Sequence, residues 1–372
     1  MKRMNKIFSG FLLTSLILVG CTNQDQVFDD YTTQSVYFPL QYPIRTIVLG
    51  EDRIDNSIDL QKAFDIGVTV AGMYENKLDR TVGFELAPSL LPDVALGLDT
   101  VYGKDLNNLE SQLSILPTNY YSLVPDTKVV VPKGSLRGLI RVNLTDDFFN
   151  DPKAYSFNYV IPLRITNVSH NFQILTGKAA NGTIVSPRWY VSADWATGYA
   201  PKDFTLFGVK FINVWQGTYF QRGVQKKDNV VDKVFHKQDI TSDQNAKIQT
   251  VGLKKATYNR MGEKLGDAYK SLLTFSDDVN GVGDISVSAA PGTPYTITGT
   301  GKYYKSSTTM GYANGWIFNP IDGKLKGSLT LTLDYSVKGL AGATEYQFTD
   351  TLVFRSNDVR YEEFSIVLHP KK

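Results

Sequence analysis

From residue 35 onward, hydrophobic and polar positions alternate with a period of two, the pattern of half-buried strands. Phe64, Ile66, Val68 and Val70 share one face, with Asp65, Gly67 and Thr69 on the other. Ile140, Val142 and Leu144 repeat the pattern, as do Phe157, Tyr159, Ile161, Leu163 and Ile165. Only Asp105 to Leu116 departs from it. There Leu106, Leu109 and Leu113 recur at three and four residues, which predicts one short helix, stopped by Pro117. Many strands and a single helix predict an antiparallel sandwich over residues 34–175.

Asn171 to Pro187 holds Gly177, Gly182 and Pro187 among small polar residues, so residues 176–210 read as a linker. A second series of strands fills 211–372: Phe211–Phe220, Lys233–Gln238, Lys247–Tyr258, Ser271–Phe275, Gly283–Ala289, Tyr295–Tyr304, Leu325–Val337 and Tyr346–Phe354. Leu325, Leu329, Leu331, Leu333, Tyr335 and Val337 share a face. A strand from Leu325 to Val337 would reach about 43 Å, long for a sandwich but acceptable for a tilted barrel strand. Hairpin-like connections such as Asp277-Asp278-Val279-Asn280-Gly281 predict an eight-stranded, up-and-down, lipocalin-like barrel. A second sandwich is the competing shape. Phe364, Ile366 and Leu368 read as a ninth strand paired near the first. The fold class is therefore all-β.

The beginning of the chain carries a different signal. Lys2, Arg3 and Lys6 precede an apolar stretch from Ile7 to Val19, too short for the ~20 residues that cross a bilayer but fitting a signal-peptide core. It ends in Leu18-Val19-Gly20-Cys21, which resembles the bacterial lipoprotein signal. The resemblance implies removal of residues 1–20 and acylation of Cys21. At roughly 0.8 kcal/mol per buried CH₂, two or three acyl chains hold a folded body at a membrane. An ordinary secretory signal with an incidental Cys is the alternative. Residues 21–33 form a polar tether, and Asp25, Asp29 and Asp30 resemble the export signal of Bacteroidetes surface lipoproteins. The expected address is the outer membrane, lipid-anchored, at the cell surface or on the periplasmic face.

Val36-Tyr37-Phe38, Tyr121-Ser122-Leu123-Val124-Pro125, Val131-Pro132-Lys133-Gly134 and Tyr159-Val160-Ile161-Pro162-Leu163-Arg164-Ile165 follow one another in the chain. In this order they resemble an uncharacterised family that forms the N-terminal, immunoglobulin-like module of Bacteroidetes lipoproteins encoded beside glycan-uptake genes. Trp215-Gln216-Gly217-Thr218-Tyr219 resembles the opening strand of modules that follow it. The resemblance implies a glycan ligand and, as partners, a TonB-dependent transporter and a SusD-like protein.

Composition narrows the chemistry. Thirty-nine basic against 37 acidic residues, net charge +2, argue against a nucleic-acid footprint. Three His and one Cys exclude a disulfide scaffold or a zinc ribbon. Neither a metalloprotease helix, a nucleophile elbow nor a nucleotide loop occurs. Asp278, Asn280 and Asp284 read as a solvated turn, since Ala289 stands where a calcium loop needs Glu. Catalysis, a cofactor and a metal are not expected, although sequence alone leaves open two distant carboxylates meeting in space.

Sugar binding needs an aromatic face for the C–H side of the ring and polar groups for its hydroxyl edge. Two dense stretches offer both. One holds Trp189, Trp195 and Tyr199 beside Arg188 and Asp194; the other holds Tyr303, Tyr312, Asn314 and Trp316. Packing between the modules is the competing role of Trp189 and Trp195. Tyr304 reads as a core residue, and Trp215, Tyr120 and Tyr121 read as packed. The expected function is non-catalytic glycan capture at the cell surface, with the membrane contacted through the anchor alone. A structural or protein-interaction lipoprotein, and a barrel binding a small apolar ligand, are the alternatives.

Overall fold

The computed structural model describes residues 29–50, 52, 54–91, 101–105, 110–180, 188–305, 316–318, 325–327 and 329–368. Cys21 and residues 1–20 lie outside this set.

The N-terminal module packs two sheets face to face. One has strand order Gln173–Ile174, Ser35–Tyr37, Ala63–Ala71, Arg137–Leu144, Tyr121–Val124. The other is built around Pro43–Val48, Phe204–Ile212, Tyr159–Val168, Arg80–Leu86 and Lys128–Val131. The predicted alternation makes the core between them: Phe64, Ile66, Val68 and Val70 meet Phe84, Ile161, Leu163, Ile165 and Phe211, all buried. Phe64 and Phe207 stack across the interface at 5.4 Å. The second sheet also buries its outer face, where Ile44, Leu90, Phe157, Val160, Phe204 and Phe364 form a smaller cluster.

Three expectations are corrected here. The stretch predicted as a helix is extended where it is described: Glu110–Gln112 and Ser114–Ile115 are strands. The end of the predicted linker, Phe204–Ile212, is a strand of the sandwich, paired with Tyr159–Val168 on one side and Pro43–Val48 on the other. The last strand, Glu362–Leu368, leaves the barrel and pairs with Pro43–Ile44 and Val101–Asp105. It therefore does not lie beside the first barrel strand.

The second module is a closed barrel of eight strands: Gly217–Lys227, Gln244–Gly252, Lys255–Tyr258, Ser271–Phe275, Val282–Ala289, Thr296–Tyr304, Thr330–Lys338 and Glu345–Ser356. Each pairs antiparallel with the next, and the last closes on the first from Thr218↔Ser356 to Lys227↔Tyr346. Its membership differs from the sequence expectation. Lys247–Tyr258 divides into two strands. The segment predicted from Lys233 is Val230–Phe235, a hairpin arm paired only with the first strand. Leu325–Gly327 and Thr330–Lys338 are separate strands. Asp228 and Asn229 turn the hairpin with positive φ, as do Asn280 and Gly281 in theirs, the backbone that two-residue turns need. Leu331, Leu333, Tyr335 and Val337 point inward as predicted, and Trp215 is buried.

Register places the two ends of the sandwich apart. Ser35 pairs with Ala71, Arg137 with Thr69, and Val82 with Val168, so the turns at 72–79, 132–136 and 169–172 gather at one pole. Tyr159 pairs with Val209, so the strand that ends at Ile212 leaves from the opposite pole. There Asn213 ties the modules: its N–H donates to Thr250 Oγ1, and its amide donates to the carbonyls of Gly252 and Lys255, each at 3.0 Å.

Candidate functional site

Within the first module, the strap between Gln173–Ile174 and Phe204–Ile212 brings two predicted residues, Trp195 and Tyr199, together. Residues 177–180 run beside 194–199: Ala196 N–H donates to Lys178 O, Lys178 N–H to Tyr199 O, and Ala180 N–H to Asp194 O. Arg188 grips Asp194 with both arms of a fork, Nε to Oδ2 at 2.9 Å and Nη2 to Oδ1 at 3.1 Å. Its own backbone N–H donates to the same carboxylate. These bonds hold the Asp194 carboxyl below its ordinary value and raise the guanidinium of Arg188. Such a two-point pair fixes orientation as well as charge.

Trp195 packs against Gly177, where a Cβ would come within 2.6 Å of the indole. Its Nε1 donates to Arg188 O at 3.0 Å. The ring is half-buried, and Tyr199 is 61% exposed with Lys178 Nζ 5.8 Å from its centroid. The strap thus presents an immobilised indole, an open phenol and an ion pair. Trp189 does something else. Its ring packs 5.2 Å from Phe204 and 6.2 Å from Tyr42, which matches the packing alternative.

In the second stretch, Tyr303 is not placed as predicted. Tyr303 is buried in the barrel, its hydroxyl donating to Ser276 O at 2.9 Å, and burial pushes its phenol up to about 12. A ring enclosed on all sides cannot stack on a sugar. Tyr304, read as core, is the half-exposed member of the pair. Tyr312 and Asn314 lie outside the described residues. Trp316 opens the short strand Trp316–Phe318, paired with Leu325–Gly327.

Two features were not anticipated. Asn119, Tyr120, Asp147, Asp151, Lys153 and Tyr159 line an open recess of about 570 Å³ at the pole nearest the barrel. Tyr120 and Tyr159 both donate their hydroxyls to Asp151 Oδ2, at 3.1 and 2.5 Å. The second is a wholly buried carboxylate, Asp350, in the barrel core. Its signal was its place in the alternation Tyr346, Phe348, Asp350, Leu352. Among the described residues, no cluster of three or more His, Cys, Asp or Glu could hold a metal ion.

The geometry belongs to a two-module all-β protein. A family model described as a "-like, N-terminal domain" matches residues 31–171, and one described as a domain of unknown function, DUF5627, matches residues 214–358. The chain is similar to a structural-genomics protein of unknown function from Bacteroides ovatus: 29% identity, TM-score 0.72, covering 91% of this chain and 99% of that one. A second Bacteroides ovatus protein of unknown function shares 14% identity, with TM-score 0.43 over 88% of this chain and 97% of its own. An auxiliary nutrient binding protein from Bacteroides thetaiotaomicron shares 13%, with TM-score 0.40 over 84% and 90%. These last two likenesses are too weak to carry an argument. No curated protein matches the chain. Both modules thus resemble uncharacterised proteins of Bacteroides.

Proposed function

We propose that this is a non-catalytic lipoprotein, anchored at the outer membrane through Cys21, that binds oligo- or polysaccharide for a TonB-dependent transporter and its SusD-like partner. The observation that carries the glycan reading is the strap: Trp195, Tyr199 and the Arg188–Asp194 pair stand together on one short segment. An indole fixed against Gly177 gives a sugar ring a platform without an entropy cost at binding, and the ion pair lies beside it for the hydroxyl edge. One such site gives a Kd between mM and μM, about 4–8 kcal/mol.

Native affinity electrophoresis against a panel of polysaccharides tests the reading. The intact protein is retarded by at least one polymer, and the Trp195→Ala, Tyr199→Ala variant runs free. No retardation on any polymer, with a protein partner recovered by pull-down, favours the interaction reading instead.

The apolar-ligand alternative has little support from the barrel. Trp215 and Phe275 stack at 3.8 Å with Tyr303 edge-on, and Tyr219, Gln221, Tyr258 and Asp350 occupy the interior beside them.

A further inference from the structure

Aromatic and aliphatic side chains stand out in solvent at the pole where the described chain begins. Tyr31 is 79% exposed, Tyr74 69%, Leu78 51% and Leu136 41%. All four sit on the segments that register gathers there. Tyr31 N–H donates to Gly72 O, Tyr74 N–H to Asp30 Oδ1 at 2.7 Å, and Val70 N–H to Leu136 O. Lys77, Lys133 and Arg137 are exposed on the same turns, interspersed with exposed Glu75 and Asp79, and Asp29 and Asp30 are exposed beside Tyr31.

The turns are built to be rigid. The buried amide of Asn76 donates to the carbonyls of Pro132 and Ser135 and accepts from Arg80 Nε at 3.1 Å. Arg80 in turn lies 4.5 Å over the ring of Phe172. Presenting these four side chains from a framework already ordered avoids an ordering cost when they are covered.

Chain length points to what covers them. Cys21 stands eight residues before Asp29, so the segment between them spans at most about 28 Å fully extended. The barrel leaves from the opposite pole, beyond strands such as Phe204–Ile212. Tyr at the headgroup level, Leu reaching the acyl boundary and Lys or Arg at the lipid phosphates is the distribution that membrane interfaces favour.

We propose that this pole is a membrane-seating surface: Tyr31, Tyr74, Leu78 and Leu136 enter the lipid headgroup layer and stand the sandwich upright, with the barrel outermost. The inference rests on the lipid anchor at Cys21. Seating adds orientation to the tether, which by itself fixes distance and leaves the body free to tumble.

The test uses the full chain made in a host that acylates lipoproteins and placed in phosphatidylethanolamine/phosphatidylglycerol vesicles. With Cys21 acylated, a fluorophore attaches only to an introduced thiol, Glu75→Cys at this pole or Lys153→Cys at the other. Nitroxide-headgroup lipid should quench the label at 75 several-fold more than the label at 153. A Tyr31→Ser, Tyr74→Ser, Leu78→Ser variant should still float with the vesicles and lose that contrast. Equal quenching at both positions, or an unchanged contrast in the variant, overturns the seating surface and leaves the anchor standing. A mature chain without acyl chains that fails to float overturns the anchor and the seating surface together.

Discussion

Inside the barrel, the carboxylate of Asp350 accepts the phenol hydrogen of Tyr335 at 2.9 Å. Tyr258 donates to the same oxygen at 2.9 Å, and Gln221 Nε2 to the other at 3.0 Å. Gln221 Oε1 accepts from Gln244, whose own Oε1 accepts from Arg260 Nη1 at 3.0 Å. Every oxygen of the acid is thus satisfied, yet it sits in an apolar wall with its nearest cation two residues away along the chain of bonds. Desolvation wins over the donors and Arg260, and pushes the carboxyl up to about 6 from its ordinary 3.8.

That shift sets a pH dependence. The folded state holds the Asp350 proton more tightly than the unfolded state, so the contribution is fully present below about pH 4 and is lost as pH rises to about 6. Above that the ionised form costs a constant amount, about 3 kcal/mol for a shift of this size. Asp350→Asn keeps the shape and removes the titration. Urea unfolding of both proteins from pH 4.5 to 7.5 should show the wild type losing stability relative to the variant as pH rises. A difference that does not change with pH would refute the assignment.

Close strand contact explains two barrel glycines. A Cβ on Gly299 would stand 2.3 Å from Asp334 O and 2.4 Å from the Cβ of its cross-strand partner Tyr335; on Gly301 it would stand 2.2 Å from Thr332 O. Backbone cannot yield as a side-chain tip can. Gly299→Ala and Gly301→Ala should each cost about 1–3 kcal/mol by overpacking. Gly67→Ala, with open space around it, should stay within about 0.5 kcal/mol. Thermal unfolding of the three variants decides it.

Alternation made the sheets legible because one buried face imposes a period of two wherever it acts. It gave the inward run from Leu331 to Val337 and the sandwich core. It also held the answer for Tyr303: Ile297, Gly299, Gly301 and Tyr303 share one parity, and Tyr303 lies opposite Gly283, where a Cβ would be 2.3 Å from its ring. What local pattern could not supply was the distant partner. Leu106, Leu109 and Leu113 have helical spacing, but Val101–Asp105 pairs with a strand more than 250 residues later in the sequence. Nor does periodicity distinguish the last strand of one sheet from the first of the next, so Phe211–Phe220 read as one element although Asn213 to Gln216 turns between two. The strap was visible only as a cluster of residue types. Its grip, Arg188 on Asp194, follows from the fold of the loop and has no periodic signature.

The strap's two aromatics of opposite character separate packing from binding. Trp189 lies half-buried against Phe204, Tyr42 and Tyr190, so Trp189→Ala should lower stability by about 2–3 kcal/mol, below the range for a fully enclosed ring. Tyr199 covers no core. Tyr199→Ala should leave the melting temperature unchanged within the effect of a surface substitution while weakening polysaccharide retardation several-fold. If Tyr199→Ala unfolds early, or binds as well as wild type, the strap is a structural clasp.

The return of the chain from the barrel to the sandwich gives the last prediction. Phe364 is buried, 4.7 Å from the ring of Phe157 and 5.6 Å from that of Tyr42. Beside it Glu362 receives Lys210 Nζ at 2.6 Å. The final strand therefore clips the outer layer of the sandwich although it follows the barrel in sequence. Phe364→Ala should cost about 3–5 kcal/mol, the range for emptying an enclosed aromatic site. The loss belongs to the sandwich. In hydrogen exchange, amides of residues 101–105 and 204–208 should lose protection, while those of Tyr219 and Leu331 in the barrel keep theirs. Equal loss in both modules would show that the two unfold as one cooperative unit and that the strand fastens them to each other.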